Sequence, residues 1–129
     1  RPGAQGLSTD VCVPISRLAE CIAETERDIE AMGLVAPIVG HVGDGNFHVL
    51  VLMDPEDTRE IAQAEAFVAR LNERALAMEG TCTGEHGIGQ GKAKFLELEL
   101  GAGVDMMRAI KKALDPQNIL NPGKIFSLD

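Results

Sequence analysis

The sequence predicts an α+β fold: a ferredoxin-like split β-α-β antiparallel sheet followed by a C-terminal helical extension. Three observations carry that prediction. Extended and amphipathic segments alternate in the order strand, helix, strand, strand, helix, short strand. An Asp-Gly pair, the strongest short hairpin signal, joins the two central strands. The last third of the chain reads as helix ending in turn residues.

Taken in order, Asp10-Val11-Cys12-Val13-Pro14 is short, rich in valine and closed by proline, a strand with a stop. Ser16 is placed to cap a helix in which Leu18, Cys21, Ile22, Thr25, Ile29 and Met32 form one face. Glu20, Glu24, Glu26, Arg27 and Asp28 take the other, and Gly33 ends the helix. Val35 to His41 is extended and apolar, with Pro37 pointing to a sheet edge or a bulge. From Phe47 to Met53, Phe47, Val49, Val51 and Met53 share one face while His48, Leu50 and Leu52 share the other. Both faces are apolar, so helices are expected over at least part of the second. Asp57, with Glu60 three residues on, opens a helix that turns Ile61, Ala64, Val68, Leu71, Ala75 and Met78 inward until Gly80 stops it. Thr81 to Thr83 supplies a short fourth strand. Two amphipathic helices follow, about Lys92 to Leu100 and Val104 to Leu114, ended by Gly101 and by Asp115-Pro116; Asn121-Pro122-Gly123 marks a final turn.

A chain of 129 residues is one ordinary domain, too short for a complete two-domain cofactor enzyme. No run approaches the roughly 18 apolar residues of a membrane span, so no transmembrane segment is expected, and Arg1-Pro2-Gly3 carries no signal-peptide pattern. Acidic residues outnumber basic ones 20 to 12, a formal charge of −8 that opposes binding to a nucleic-acid backbone; with no Trp or Tyr to stack bases, no nucleic-acid partner is expected. Cys12, Cys21 and Cys82 lack CxxC spacing and read as reduced thiols in a reducing compartment.

All three histidines fall in two glycine-rich segments. If Asp44-Gly45 forms a two-residue type I′ turn, His41 faces His48 across the strands, with Cβ atoms about 4.5–5.5 Å apart, close enough to share a metal ion. The same pairing suits a polar hairpin whose histidines merely cap a sheet edge, and the residues leave both readings open. In Thr83-Gly84-Glu85-His86-Gly87-Ile88-Gly89 the glycines let a ligand approach Glu85 and His86, which offer a third metal ligand and a base; an ordinary helix-entry loop has the same composition. Gly87, Gly89 and Gly91 spell GxGxG rather than a dinucleotide fingerprint. Gly91-Lys92 is not a P-loop, since His86 and Ala93 stand at required positions, and no G-x-S-x-G elbow occurs.

Three long segments carry a resemblance: Gly40-His41-Val42-Gly43-Asp44-Gly45-Asn46-Phe47-His48, Gly80-Thr81-Cys82-Thr83-Gly84-Glu85-His86-Gly87-Ile88-Gly89, and Leu114-Asp115-Pro116-Gln117-Asn118-Ile119-Leu120-Asn121-Pro122-Gly123-Lys124. They resemble the C-terminal part of the FAD-linked oxidases of the vanillyl-alcohol oxidase type. Within these they are most similar to the cytochrome-linked D-lactate dehydrogenases, with glycolate oxidase and D-2-hydroxyglutarate dehydrogenase as relatives. Ser8 to Leu18 fits as well, so nearly the whole chain is covered.

The resemblance implies that His41, His48 and Glu85 hold a divalent metal, that His86 is the catalytic base, and that Asn121 and Lys124 make flavin-side contacts. Zinc, manganese and iron all suit such ligands. It implies FAD, bound mainly by a domain that these 129 residues do not contain, so the chain is expected to be a C-terminal fragment, residues 1–129, inactive by itself. The implied substrate is a small D-2-hydroxy acid, oxidised to the 2-oxo acid: the metal orients it, His86 takes the hydroxyl proton, and the C2 hydrogen leaves as hydride toward FAD. Electrons would pass to an acceptor such as cytochrome c or a quinone, in the cytoplasm, at a membrane periphery or in a mitochondrion. Relatives acting on hydroxyglutarate carry Lys where this chain has Ser8 and Asn where it has Leu50, which suits a smaller or more apolar substrate here.

Two other classes compete: a non-catalytic ferredoxin-like sensor of a metal or small acid, and an assembly domain with structural loops. His86 discriminates, because a sensor has no use for a base beside its ligands. One geometric conflict stands. In an ideal sheet of this type the fourth strand ends opposite the central hairpin turn, which would leave Glu85 far from His41 and His48.

Overall fold

The computed structural model describes residues 2–128; Arg1 and Asp129 lie outside the described residues. The chain forms two compact units, Arg1–Glu85 and His86–Asp129.

The first unit is the split β-α-β sheet. Its first strand is interrupted, running as β1 (Gln5–Ser8) and β2 (Val11–Cys12), and is followed by α1 (Ile15–Met32), β3 (Ile38–His41), a 3-10 turn (Val42–Asp44), β4 (Asn46–Met53) and α2 (Thr58–Ala77). β4 is the centre. β1 and β2 pair with it antiparallel in one continuous register, from Gln5 opposite Met53 to Cys12 opposite Asn46. β3 pairs on its other side, from Ile38 opposite Val49 to His41 opposite Asn46. The ladder reaches back past Pro37, whose carbonyl accepts from the Leu50 amide, to a bridge between Val35 and Leu52. Proline loses nothing here, because only its carbonyl is used.

The expected fourth strand is reduced to one residue. Thr81 bridges Cys12 at the outer edge of β2, which gives the ferredoxin-like strand order, but the chain then turns away. The expected strand Thr81 to Thr83 fails because the Thr83 amide bonds back to the Thr81 hydroxyl. Gln5–Ser8, by contrast, was not foreseen as strand; its alternation is hidden by glycine and polar residues.

The core lies between the sheet and both helices. Phe47, Val49 and Val51 of β4 are buried with Val11, Val13, Leu18, Cys21, Ala64, Phe67, Leu71, Ala75 and Met78. Phe67 joins the inward face of α2, whereas Ile61 and Val68 stay half-buried. The second face of β4 differs from expectation: within this unit no helix covers it, and Leu50, Val35 and Val39 are exposed.

Helix entry and surface also need correction. α1 begins directly after Pro14, which is its N-cap at φ −51° and ψ 137°, with no side-chain cap hydrogen bond, so Ser16 is not its cap. Asp57 does cap α2, accepting from the Arg59 and Glu60 amides. The helix ends at Ala77, and Glu79, rather than Gly80, adopts the left-handed φ of 61°. Asp28 is not on the solvent face of α1 but buried, in line with Leu18, Cys21 and Thr25. There it meets Arg70 at 2.6 Å and Arg74, which also bonds Glu24 at 2.9 Å and Thr25 at 3.1 Å. Burial pushes the Asp28 carboxyl up, but the two guanidinium groups outweigh it and hold it below its ordinary value of 3.8.

The second unit holds α3 (Ala93–Leu100), a glycine stop at Gly101 and α4 (Gly103–Leu114), with the tail folded back. Arg108 ties it together by binding Glu97, Asp105 and the Ser127 carbonyl. Asp115 closes α4, accepting from the Ile119 and Leu120 amides and from Lys111, which together lower its carboxyl to about 2. α4 has the expected amphipathic pattern, yet Met106, Ile110 and Leu114, four residues apart, are exposed. Among the described residues no helix is long and apolar enough to cross a membrane.

The Asp28 network generates a prediction. A carboxyl held below its unfolded value adds stability above that value and loses it as the pH falls. Asp28→Asn should therefore lower stability at neutral pH by about 1.5–3 kcal/mol, because Arg70 and Arg74 lose a charged hydrogen-bond acceptor while Arg74 keeps Glu24. It should also flatten the acid decline below the ordinary carboxylate value of 3.8. Urea midpoints across pH measure both effects, and an unchanged acid limb would show that Asp28 does not govern it.

Candidate metal centre

The expected two-residue turn at Asp44-Gly45 does not form. The Gly45 carbonyl accepts from the Val13 amide at 3.0 Å, extending the β2 register by one step, and this draws Gly45 toward the sheet. The chain has to reverse earlier, through the 3-10 turn Val42–Asp44, closed by Gly45 at a φ of 74°. His41 consequently faces Asn46, and His48 faces Val39, instead of each other. The shift is two residues, so side-chain parity is kept: the imidazoles remain on one face as diagonal neighbours. Their ring centroids are 6.1 Å apart and perpendicular.

Glu85 closes the group. Its Oε1 lies 3.2 Å from His48 Nε2 and 3.8 Å from His41 Nε2, and one ligand atom from each of the three residues lies within 4.8 Å of the others. The geometric conflict resolves through Asp10. This carboxylate is 1% exposed, and its Oδ2 accepts from the Thr83 hydroxyl and from the Gly84 and Glu85 amides, each at 2.9 Å. The fourth-strand segment starts beside the hairpin, at Thr81, and Asp10 arrests it before it can run to the far end of the sheet.

The sheet also orients His48. At the break between β1 and β2 the Thr9 amide donates to the Val49 carbonyl, but the Val49 amide returns to the Thr9 hydroxyl at 2.8 Å. A ladder would use the Thr9 carbonyl there; set free, that carbonyl lies 3.0 Å from His48 Nδ1. A carbonyl only accepts, so Nδ1 carries a proton, and in the neutral ring this leaves Nε2, on the Glu85 side, as the nitrogen able to bind a metal. Asp10 Oδ1 stands 3.7 Å from the same Nδ1. A backbone carbonyl on the second ring nitrogen is an arrangement that orients metal-ligating histidines. One ligand atom from each of the three side chains lies within reach of a single ion, so the donor set fits a divalent metal, and two imidazoles with one carboxylate suit zinc, manganese or iron. Beside the three side chains is a hollow of about 350 Å³ lined by Cys12, His41, Asp44, Asn46, Gly84 and Glu85. Burial, and then the charges of Asp10 and Asp44, push the Cys12 thiol up, and it donates to the Asp44 carbonyl.

A family model described as FAD linked oxidases, C-terminal domain, matches residues 1–125. The chain belongs to this family. It is 54% identical over 129 residues to a probable mitochondrial D-lactate dehydrogenase of Danio rerio, covering 99% of this chain and 26% of that protein. It is 52% identical over 124 residues to a mitochondrial cytochrome D-lactate dehydrogenase of Saccharomyces cerevisiae, covering 95% and 21%. It is 40% identical over 121 residues to the glycolate oxidase subunit GlcD of Bacillus subtilis, covering 93% and 26%. The chain thus spans about a quarter of the length of these relatives. A solved structure of 4-ethylphenol oxidase from Gulosibacter chungangensis shares the fold, with a TM-score of 0.69 at 21% identity over 98% of this chain and 25% of that one.

In this FAD-linked oxidase domain the other expected site residues lie in the second unit. His86, the first residue of that unit, is exposed. Asn121 and Lys124 line a cavity of about 390 Å³ with Lys111, Asn118 and Gly123; Asn121 adopts a φ of 48°, and the Lys124 amide bonds its carbonyl at 3.3 Å. Ser8 and Leu50 prove to be direct cross-strand partners, on the face of β4 that carries His48. Sequence reasoning missed Thr9 and Asp10. The available signal was a carboxylate inside a strand, where Asp is disfavoured unless something holds it.

Thr9→Val removes the hydroxyl at nearly constant shape and lets the Val49 amide reclaim the carbonyl. It should cost about 1 kcal/mol of stability and weaken Co²⁺ binding about tenfold, in line with other supporting partners of ligating histidines. A cobalt titration beside a urea melt measures both, and unaltered affinity would show that Thr9 does not orient His48.

Proposed function

We propose that this chain is the substrate- and metal-binding domain of a flavin-dependent dehydrogenase that oxidises a small D-2-hydroxy acid, D-lactate or a close analogue, to the 2-oxo acid. The observation that carries the reading is the convergence of His41, His48 and Glu85 on one point, with the Thr9 carbonyl against His48 Nδ1. Relatives named D-lactate dehydrogenase, more than half identical over nearly the whole chain, support the reaction class.

A divalent ion held by His41, His48 and Glu85 would supply a Lewis acid to the substrate. FAD supplies the acceptor for the C2 hydrogen. The chain's own residues do the remainder. His86, next in sequence to Glu85 and flanked by Gly87, takes the hydroxyl proton. Asn121 and Lys124 present an amide and an ammonium to the flavin side. Ser8 and Leu50, paired on the His48 face, leave no cation for a second substrate carboxylate, which favours a short acid. The exposed row Met106, Ile110 and Leu114 accords with further protein packing on α4 in a longer enzyme. The reading extends to a cytochrome as electron acceptor and, in a eukaryote, to a mitochondrial location, as the names of two relatives suggest, with a quinone as the alternative acceptor.

The test uses the enzyme complete with FAD. His86→Ala should lower turnover of D-lactate by about 10²–10⁴-fold, the range for loss of a general base, with bound metal retained. His48→Ala should lose the metal itself, measured by elemental analysis. Full turnover in His86→Ala would remove it as the base. The 129-residue chain alone should not sustain dye reduction by D-lactate, and steady reduction would overturn the division of labour proposed here.

A further inference from the structure

Asn46 is 6% exposed, and its carboxamide oxygen is buried without a hydrogen-bond partner. A buried amide left unsatisfied costs about 1–3 kcal/mol, so such a group calls for an explanation. The hairpin does not provide one: the turn is closed by the backbone bonds of Gly45 to Val42 and of Val13 to Gly45, and neither uses the Asn46 side chain. Its location does. Asn46 stands between Cys12 and His41 in one row across the sheet, two residues before His48 on the same strand face. It lines the hollow that His41 and Glu85 also line. Gly84, the residue before Glu85, is pressed against it: an added Cβ there would lie 2.5 Å from Cγ, Oδ1 and Nδ2 of Asn46. The absent side chain at Gly84 is what allows the amide to sit against the Glu85 loop.

We propose that Asn46 is a further polar member of the centre, its carboxamide oxygen accepting a hydrogen bond from the water or substrate hydroxyl held at the divalent ion. The proposal rests on the reading of His41, His48 and Glu85 as metal ligands. Asn46 is a positioning residue: it touches the exogenous ligand rather than the ion. Its oxygen gains a partner only when the centre is loaded, which couples metal binding to the satisfaction of a buried group.

Co²⁺ is titrated into the chain and into its Asn46→Leu, Asn46→Asp and His48→Ala variants, following the visible absorption of the ion and the far-ultraviolet circular dichroism. Asn46→Leu conserves volume and removes both polar atoms; it should weaken Co²⁺ binding about 10–100-fold and change the band intensity, with circular dichroism intact. Asn46→Asp keeps an acceptor in place and should bind at least as tightly as the native chain. Equal affinity and an identical spectrum in Asn46→Leu would overturn the proposal. If Asn46→Leu does not fold, Asn46→Asp decides: binding tenfold weaker than native overturns the proposal, and native or tighter binding sustains it. A native chain that binds Co²⁺ no better than His48→Ala overturns the metal reading itself, and the role of Asn46 with it.

Discussion

The candidate centre depends on one carboxylate placed where a strand would ordinarily carry an apolar residue. Asp10 interrupts the first strand and, almost fully buried, spends its Oδ2 on three donors of a segment more than 70 residues later in the chain. Burying a carboxylate is costly unless donors meet it, and here a hydroxyl and two consecutive amides meet Oδ2. That constraint decides two things together. It stops the fourth-strand segment after a single bridge, and it fixes the backbone of Glu85 beside His48. Extending the strand would satisfy more backbone groups in the sheet but would carry Glu85 away from the histidines.

The break in the first strand has a second consequence, local to Thr9. A continuous ladder would consume the Thr9 carbonyl on the Val49 amide. The threonine hydroxyl substitutes for it, which costs little in hydrogen bonding because one acceptor replaces another, and the released carbonyl sets the His48 tautomer. Thr9 and Asp10 thus act as a pair, one holding the His48 ring at Nδ1 and the other delivering the Glu85 carboxylate that Nε2 faces. The sheet divides its labour in the same way. The Phe47, Val49 and Val51 face is packed against α1 and α2, while the opposite face, free of helices within its own unit, presents the polar group.

Much of this was legible in the residues, and the failures have physical causes. Helix periods, the Asp57 cap and the buried face of β4 follow from local patterning, and the structure reproduces them because nothing tertiary opposes them. Asp28 was misread because a charge was assigned to solvent by type, although its spacing from Cys21 and Thr25 put it on the inner stripe; two arginines from α2, invisible to local reasoning, made burial tolerable. The grouping of His41, His48 and Glu85 was legible only through family resemblance and the Asp-Gly turn signal. The supporting residues Thr9, Asp10 and Asn46 were not, since each acts through a contact distant in sequence.

The hairpin shows why a wrong turn can still lead to a right neighbourhood. The turn reading placed His41 opposite His48, and the observed register places it opposite Asn46. An error of one residue would have sent one imidazole to the core face and abolished the cluster, because side chains alternate with a period of two. The actual displacement is two, enforced when Val13 takes the Gly45 carbonyl and the reversal moves upstream. Parity is therefore what the two histidines require, and direct opposition is not. The diagonal arrangement also does something that direct pairing would not: it opens a place between the imidazoles' strands, directly across from His41, and Asn46 fills it. A two-residue turn would have put His48 opposite His41 and moved the amide out of that row.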